Sequence, residues 1–454
     1  MGRYFGTDGF RGEAGTVLTA DHAYRIGRFL GWYYRKEDGT RARIVVGKDT
    51  RRSSYMFEYA IAAGLTASGA DAYMLHVTTT PSVSRVTRMD DFDCGVMISA
   101  SHNSFGDNGI KLVNHNGEKM DDEVQNRIEE YLDGVRAELG IQGADIPFVV
   151  GADIGQIIDY SAGRNRYVAY LISVAMHSYK GVRVGLDCAN GASWRLAKSV
   201  FEALGAKTYT INAEPNGTNI NENAGSTHIE RLVAFVKENH LDVGFAFDGD
   251  ADRCIAVDGE GEVVDGDRIL YILARRLSQA GMLTSNTVVT TVMSNLGLYR
   301  ALDEAGIGYT QTDVGDRFIW ERMRQEGHAL GGEQSGHIIV RKYATTGDGI
   351  LTAILLTEAV LESGQTLHQL AAPMRSYPQL TRNLTVSDRD AVMADGAVRR
   401  RLSELRDTLA DEGRILLRKS GTEPLIRIMV EAADAARCEA CADDLENVIR
   451  ERGY

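Results

Sequence analysis

Along most of the chain short apolar, β-branched runs alternate with amphipathic stretches, a rhythm that restricts the fold more than any other feature. It is the pattern of βα units with mostly parallel strands. Ala42-Arg-Ile-Val-Val46 runs into Gly47-Lys-Asp-Thr-Arg51, and Cys94-Gly-Val-Met-Ile-Ser99 into Ala100-Ser-His-Asn103. Val182-Arg-Val-Gly-Leu186 meets Asp187-Cys-Ala-Asn-Gly-Ala-Ser193, and Leu241-Asp-Val-Gly-Phe-Ala-Phe247 meets Asp248-Gly-Asp-Ala-Asp-Arg253. A fifth run, Val288-Val-Thr-Thr-Val-Met293, ends in Ser294-Asn-Leu-Gly297. In open α/β sheets ligands bind outside the carboxyl ends of the strands, so polar chemistry is expected in these loops.

At 454 residues the chain is too long for one core. Borders are expected near residues 155 and 255, and a third where Pro373 to Pro378 gives way to strand, charged helix, two strands and helix. This predicts α/β domains over 1–155, 156–255 and 256–374, and a small α+β domain over 375–454. Fifty Lys and Arg against 63 Asp and Glu leave a net charge of −13, which argues against nucleic acid or an anionic membrane as partner. No signal-peptide stretch opens the sequence and nowhere do 18 apolar residues run together, so a cytoplasmic protein is expected. Its five cysteines read as reduced thiols, and Cys438-Glu-Ala-Cys441 as two neighbours on a helix.

Asp248-Gly-Asp-Ala-Asp-Arg253 places Asp at every second position. On an extended backbone residues two apart point the same way, so the three carboxylates are expected to converge. Bare, they would repel; a hard divalent cation with oxygen ligands, Mg²⁺ before others, resolves this. An EF-hand would need Gly where Arg253 stands and Glu where Gly259 stands, which excludes it. A solvated turn and an aspartyl-phosphate phosphatase of the haloacid dehalogenase type are the rival readings.

Ile98-Ser-Ala-Ser-His-Asn103 offers a nucleophile. A serine-hydrolase elbow requires Gly two residues to either side of Ser101, where Ser99 and Asn103 stand, so acyl transfer is disfavoured. A seryl oxygen next to His102 and available to a metal can instead carry a phosphoryl group, with a plain turn as the alternative. Gly106-Asp-Asn-Gly-Ile-Lys111 adds a turn and a lysine close by. Residues 414–427 hold four cations and one acid, Glu423, a local charge of +3. Arg forks, hydroxyls and glycine amides there suit a phosphate that is not transferred, the rival being a basic surface hairpin. In Gly331-Gly-Glu-Gln-Ser-Gly-His337, the alternation of Glu333, Ser335 and His337 predicts one polar face on an extended segment, turned to a sugar.

Together these residues resemble the α-D-phosphohexomutase superfamily. Phe5-Gly-Thr-Asp-Gly-Phe-Arg-Gly12, Ile98-Ser-Ala-Ser-His-Asn103, Asp107-Asn-Gly-Ile-Lys111 and Asp248-Gly-Asp-Ala-Asp-Arg253 match in order. So do Gly332-Glu-Gln-Ser-Gly-His337, Thr345-Thr-Gly-Asp-Gly349 and Arg418-Lys-Ser-Gly-Thr-Glu-Pro424, over nearly the whole chain. The resemblance implies three similar mixed-sheet α/β domains and a C-terminal α+β domain around a central active-site cleft, the last a mobile phosphate-binding cap. It implies an isomerase that interconverts glucosamine 6-phosphate and glucosamine 1-phosphate, towards UDP-N-acetylglucosamine and cell-wall precursors. A phosphoserine at Ser101 and a glucosamine or glucose 1,6-bisphosphate intermediate, also the activator, would carry the reaction. Asp248, Asp250 and Asp252 would hold Mg²⁺ with Ser101, and Lys111, His337, Arg11 and Arg253 would serve the chemistry. His102, Glu333 and Ser335 would meet the sugar, and Arg418, Ser420, Gly421, Thr422 and Arg427 the distal phosphate. The family also implies a homodimer.

Gln334 leans towards the glucosamine branch, as do Phe5-Gly-Thr-Asp-Gly and Arg418-Lys-Ser-Gly-Thr-Glu-Pro; glucose or mannose phosphates are the alternative substrates. One position departs from the family pattern: Ser104 stands where Pro commonly follows Ser-His-Asn, which loosens the backbone restraint beside Ser101. The phosphatase reading leaves the Ser-His-Asn and Arg-Lys-Ser-Gly loops unexplained, and the Asp triad beside a nucleophile argues against a non-catalytic sugar-phosphate sensor.

Overall fold

The structure is a computed structural model that describes residues 3–6, 8–36, 38–141, 143–419 and 425–454. Fifteen α-helices and four sheets are present among them. The chain divides into two compact units, one running to Val292 and resuming over Tyr309–Ala371, the other made of Met293–Gly308 and Ala372–Tyr454.

The first sheet contains β1 (Phe5–Gly6), β2 (Gly9–Glu13), β3 (Arg43–Lys48), β4 (Asp71–Val77), β5 (Cys94–Ile98), β6 (Asp107–Asn114) and β7 (Ile157–Asp159), ordered β1-β2-β6-β5-β3-β4-β7. The apolar runs form its parallel centre, with β3 between β4 and β5, while β6 returns antiparallel to β5. Strand β7 carries this sheet past residue 155 by pairing with β4. Only three residues long and largely exposed, it lacks the apolar signature that marks the inner strands.

The second sheet is built from β8 (Arg183–Asp187), β9 (Lys207–Ile211), β10 (Val243–Phe247), β11 (Cys254–Asp258) and β12 (Val263–Val264), ordered β12-β11-β10-β8-β9. Here too an antiparallel strand, β11, follows a parallel pair, so the sheet continues beyond residue 255. The third holds β13 (Thr287–Thr291), β14 (Gly308–Thr312), β15 (Leu330–Gly332) and β16 (Ile338–Val340), ordered β14-β13-β15-β16. All three are mixed sheets, as the superfamily resemblance implies.

In the second unit β17 (Gln379–Thr385), β18 (Arg414–Lys419) and β19 (Leu425–Glu431) form an antiparallel sheet ordered β17-β19-β18. The helix Ala435–Glu451 buries Cys438, Cys441, Leu445 and Ile449 in a core with Ile415, Ile426 and Ile428. The Cys-x-x-Cys pair is therefore core packing on one helical face. Buried Glu431 accepts from the Leu296 amide at 3.0 Å and pairs with Arg414, tying the helix Leu296–Glu304 to this sheet.

In the first unit the helices Ala20–Tyr33 and Arg52–Ala67 lie in close contact because Gly27 and Gly64 face each other. A Cβ on Gly64 would strike the Tyr24 carbonyl, and one on Gly27 the Ile61 carbonyl. Although Ala is the better helix former by about 1 kcal/mol, Gly64→Ala is expected to destabilise the chain by about 1–3 kcal/mol, because the obstacle is backbone. A denaturation midpoint at or above that of the parent chain would contradict this packing.

Candidate active site

The acidic loop joins β10 to β11, and its carboxylates converge, though not by the extended backbone expected from the sequence. Residues 248–252 turn tightly, with Ala251 in the left-handed region (φ 57°) and its amide donating to the Asp248 carbonyl at 3.1 Å. The turn fits between two sheet strands that must reverse direction. One carboxylate oxygen from each of Asp248, Asp250 and Asp252 lies within 4.8 Å of the others, and all three side chains are buried.

So much buried negative charge must be compensated. The Lys111 ammonium donates to Asp250 Oδ2 at 2.7 Å and to Asp252 Oδ2 at 3.4 Å. Burial alone would lower the Lys111 pKa, but Asp250, Asp8 and Asp252 overcome it and hold the proton firmly. Burial would likewise raise the Asp252 carboxyl, yet Lys111, His337 and Arg253 keep it well below the usual carboxylate range. Asp248 moves the other way, pushed up by burial and by the charges of Asp252 and Asp250. Asp250 Oδ1 and Asp252 Oδ1 are buried and accept no hydrogen bond among the described residues. Such atoms are rare in folded proteins, and these two fit the oxygen donors that a hard divalent cation takes up.

Ser101 follows β5 and is itself left-handed (φ 52°) and buried. Its hydroxyl donates to Asp248 Oδ2 at 2.5 Å, which joins the candidate nucleophile directly to the triad, and His102 Nδ1 lies 3.3 Å from the same oxygen. Burial and the charges of Arg253 and Arg11 lower the His102 pKa to about 4, so the ring is neutral near pH 7. Non-glycine residues hold such φ values only where their surroundings dictate it. Here they do. The buried Arg51 guanidinium donates to the carbonyls of Ser101 at 3.0 Å, Asn103 at 2.8 Å, Asp107 at 3.1 Å and Ser104, and through Nε to Asp49 at 2.8 Å. The Asn221 amide donates to the Ser101 and Asn103 carbonyls as well, at 2.8 and 2.9 Å. Gly249 must be glycine, since a Cβ there would strike the Ser101 carbonyl. These bonds supply the restraint that Ser104, in place of proline, does not.

A second ring of charge surrounds the triad. Lys119 bridges Asp8 at 3.0 Å and Asp316 at 2.6 Å, Lys111 also reaches Asp8 at 3.3 Å, and Arg11 pairs with Asp8. Asp8, Thr80, Lys111, Lys119, Asp252 and Asp316 line one cleft. Arg253 anchors its own backbone amide on Asp248 Oδ1 at 3.2 Å, with its side chain 3.9 Å from Asp252. His337 stands between Asp252, 3.8 Å away, and Asp316, 3.5 Å away, while the Gly347 amide donates to its Nε2 at 3.0 Å. That bond requires Nε2 bare and places the ring proton on Nδ1. Burial opposes a second proton, but Asp252, Asp316 and Glu333 raise the pKa to about 9, so protonation competes with the Gly347 bond.

The stretch from Glu333 to His337 is not extended. It is the turn between β15 and β16, with Gly336 at φ 91°, so its alternate residues do not share a face. Ser335 is exposed, half-buried Glu333 accepts from the Gly315 amide at 3.2 Å, and His337 is buried against the acidic network. Glycines had made room for a turn that the alternation concealed. In the second unit Arg418 on β18 and Arg427 on β19 are direct cross-strand partners. Ser420, Gly421 and Thr422 lie outside the described residues.

Four segments match the phosphoglucomutase/phosphomannomutase domain descriptions: alpha/beta/alpha domain I over residues 2–138, domain II over 165–261, domain III over 265–377 and the C-terminal domain over 382–448. The chain belongs to the phosphoglucomutase/phosphomannomutase family. It is 59% identical to the phosphoglucosamine mutase of Lachnospira eligens over 456 residues, covering all of both chains. To that of Lachnoclostridium phytofermentans it is 55% identical, covering 100% of this chain and 99% of the other. The crystal structure of a phosphoglucomutase/phosphomannomutase family protein from Burkholderia thailandensis shares the fold, with a TM-score of 0.79 at 22% identity over 99% of this chain and 98% of that one.

The site residues that sequence reading missed include Asp49, Arg51, Thr80, Asp8, Lys119, Asp316 and Asn221. Asp49 and Arg51 sit in a loop after a strand, the location where chemistry was expected, and Asp8 lies in a matched motif. Nothing local marks the others, whose partners are distant in sequence. Arg51→Ala would leave Asp49 without its cation and four carbonyls without this donor, and is expected to cost about 3–5 kcal/mol. Thermal unfolding, with hydrogen exchange over residues 101–107, measures this; an unchanged melting point and unchanged protection would remove Arg51 from its positioning role.

Proposed function

We propose that this chain is a phosphohexomutase that interconverts glucosamine 6-phosphate and glucosamine 1-phosphate through a phosphoserine at Ser101. The observation that carries the reading is the Ser101 hydroxyl bonded to Asp248 inside a cluster of three buried carboxylates. The printed names of relatives at 59% and 55% identity over the full chain support glucosamine as the sugar.

In the first half-reaction a sugar hydroxyl attacks phospho-Ser101. The sugar O–P bond forms as the Ser101 Oγ–P bond breaks, and the hydroxyl proton ends on Oγ, giving a 1,6-bisphosphate and free serine. After the sugar turns round, the same exchange in reverse returns its other phosphoryl group to Ser101. The barrier for phosphate-ester cleavage is large, and the protein lowers it by placing charge rather than by covalent ingenuity. Asp248, Asp250, Asp252 and the Ser101 oxygen would hold Mg²⁺, which when bound supplies positive charge against the transferring oxygens. Arg253 and Lys111, both held in their charged forms, add to that charge from the protein. Lys111, His337 and Arg11 donate hydrogen bonds that polarise sugar and phosphate oxygens, with His102, Glu333 and Ser335 as sugar contacts. Arg418 and Arg427, with Ser420, Gly421 and Thr422, would take the phosphate that is not being transferred. Glucosamine or glucose 1,6-bisphosphate would act as activator, and a cytoplasmic homodimer completes the reading. No helix among the described residues is long and apolar enough to cross a membrane.

Ser101→Ala is expected to abolish both isomerisation and enzyme-bound phosphate, and full activity in that variant would overturn the assignment. Chelation of divalent cations is expected to stop turnover and added Mg²⁺ to restore it; activity that persists under chelation would remove the triad from its role. Arg418→Ala should raise KM about tenfold or more, a loss of about 1.4 kcal/mol in binding, with kcat less affected. The sugar preference is read from kcat/KM for glucosamine 6-phosphate, glucose 1-phosphate and mannose 1-phosphate; a larger value for either neutral sugar would displace glucosamine.

A further inference from the structure

We propose that the first unit carries a second small-molecule site, for a nucleoside phosphate, separate from the Ser101 site. A cavity of about 750 Å³ opens at the carboxyl ends of β3 and β4, between them and the segments 192–199 and 215–217. Its size falls in the range of small-molecule pockets, and its place is where α/β sheets bind ligands. None of the described residues that line it is Asp or Glu, although the chain contains 63 of them.

The cationic wall is Arg52, Arg164, Arg195 and His76. His76 has carboxylates nearby, Glu58 at 3.6 Å and Asp159 at 3.8 Å, and Arg164 donates to the Val77 carbonyl at 3.4 Å and lies in the field of Asp159. Arg52 and Arg195 have no carboxylate within ion-pair distance among the described residues. Two arginines in a concave, acid-free wall suit a phosphate or pyrophosphate, whose oxygens match the guanidinium fork.

Beside these cations lie two aromatic rings. Trp194 is half-buried, with the Arg195 guanidinium 4.1 Å from its ring centroid, and Tyr55 is exposed, with the Lys48 ammonium 4.0 Å from its centroid. Val168 and Leu196 complete an apolar part of the wall. Flat aromatic and aliphatic surface next to guanidinium groups that have no carboxylate partner among the described residues fits a planar base joined to a charged phosphate. The site is distinct from the triad, since Asp248, Asp250 and Asp252 are not among the described residues that line the cavity, although the Ala192 amide at its edge donates to the Gly249 carbonyl at 2.8 Å. It nonetheless adjoins the Ser101 loop through the chain itself: Thr50 and Arg52 line the cavity, and Arg51 between them grips the loop.

The test is calorimetric titration of the full-length protein with the four common ribonucleoside diphosphates, in saturating glucosamine 6-phosphate so that the Ser101 site is filled. At least one nucleotide is expected to bind with a stoichiometry of one per chain. Arg195→Gln and Trp194→Phe should each weaken it tenfold or more, while Arg195→Gln keeps kcat/KM for the sugar phosphate within twofold. Inorganic pyrophosphate and the free nucleoside, titrated separately, should each bind at least tenfold more weakly than the nucleotide. Absence of binding by all four nucleotides would overturn the proposal, as would binding that survives both substitutions or is displaced by glucosamine 6-phosphate. Pyrophosphate binding as tightly as the nucleotide would also overturn it. Equal melting points for the parent and both variants separate a lost site from a lost fold, and Arg52→Gln provides an independent variant should either fail to fold.

Discussion

Three carboxylates buried in one turn are the constraint around which the first unit is arranged. Their mutual repulsion is severe in a low-dielectric interior, and the fold answers it with cations from separate elements: Lys111 from β6, Arg253 from the loop itself and His337 from the turn after β15. The acids then divide in behaviour. Asp252 is held ionised by its neighbours, whereas Asp248, with burial and two like charges against it, favours its proton and accepts the Ser101 hydroxyl. Two oxygens, Asp250 Oδ1 and Asp252 Oδ1, accept no hydrogen bond among the described residues, and the second has only the Arg253 side chain 3.9 Å away. A bound divalent ion would satisfy them and reverse the preference of Asp248 for its proton.

The same constraint explains why backbone strain gathers here. Both Ser101 and Ala251 occupy the left-handed region, at a cost of about 1–2 kcal/mol each. Each is enforced by its surroundings, Ser101 by Arg51 and Asn221 and Ala251 by the turn between β10 and β11. Close approach of the two loops then demands the smallest residue at Gly249, which faces Ser101, and at Gly191, where a Cβ would strike Gly249. A proline at position 104 would stiffen the Ser101 loop from within. This chain stiffens it from without, through a guanidinium whose partners are four carbonyls and Asp49, and the carbonyl of Ser104 itself is among them.

What was legible in the sequence follows from the range of the interactions that make each feature. The inner strands and their carboxyl-terminal loops are written in local apolar runs, and the Asp triad and Ser101 stood out because each is a short motif after such a run. The convergence of the carboxylates was anticipated but its geometry was not, since a tight turn also brings alternate side chains together. At Glu333 to His337 that substitution of turn for strand had larger consequences, leaving Ser335 exposed and His337 buried. Arg51 was overlooked because its meaning lies in carbonyls about 50 residues away, and backbone acceptors leave no mark on composition. Strand β7 was missed for the opposite reason: an exposed edge strand needs little apolar character and shows little.

Net charge is a poor guide to such a molecule because its sum hides a division of labour. The balance of −13 includes acids of the first unit that share a few buried cations, whereas positive charge collects at particular surfaces. On the second unit Arg418 and Arg427 stand directly opposite across two antiparallel strands, an arrangement in which like charges repel. In the first unit Arg52 and Arg195 share a wall without acids. A fold tolerates such concentrations most easily when an anion offsets them, and a phosphate with its several acceptor oxygens does so through forked hydrogen bonds that a simple counter-ion cannot make. The distribution of charge along such a chain is thus a better guide to the anions it is proposed to bind than the total is.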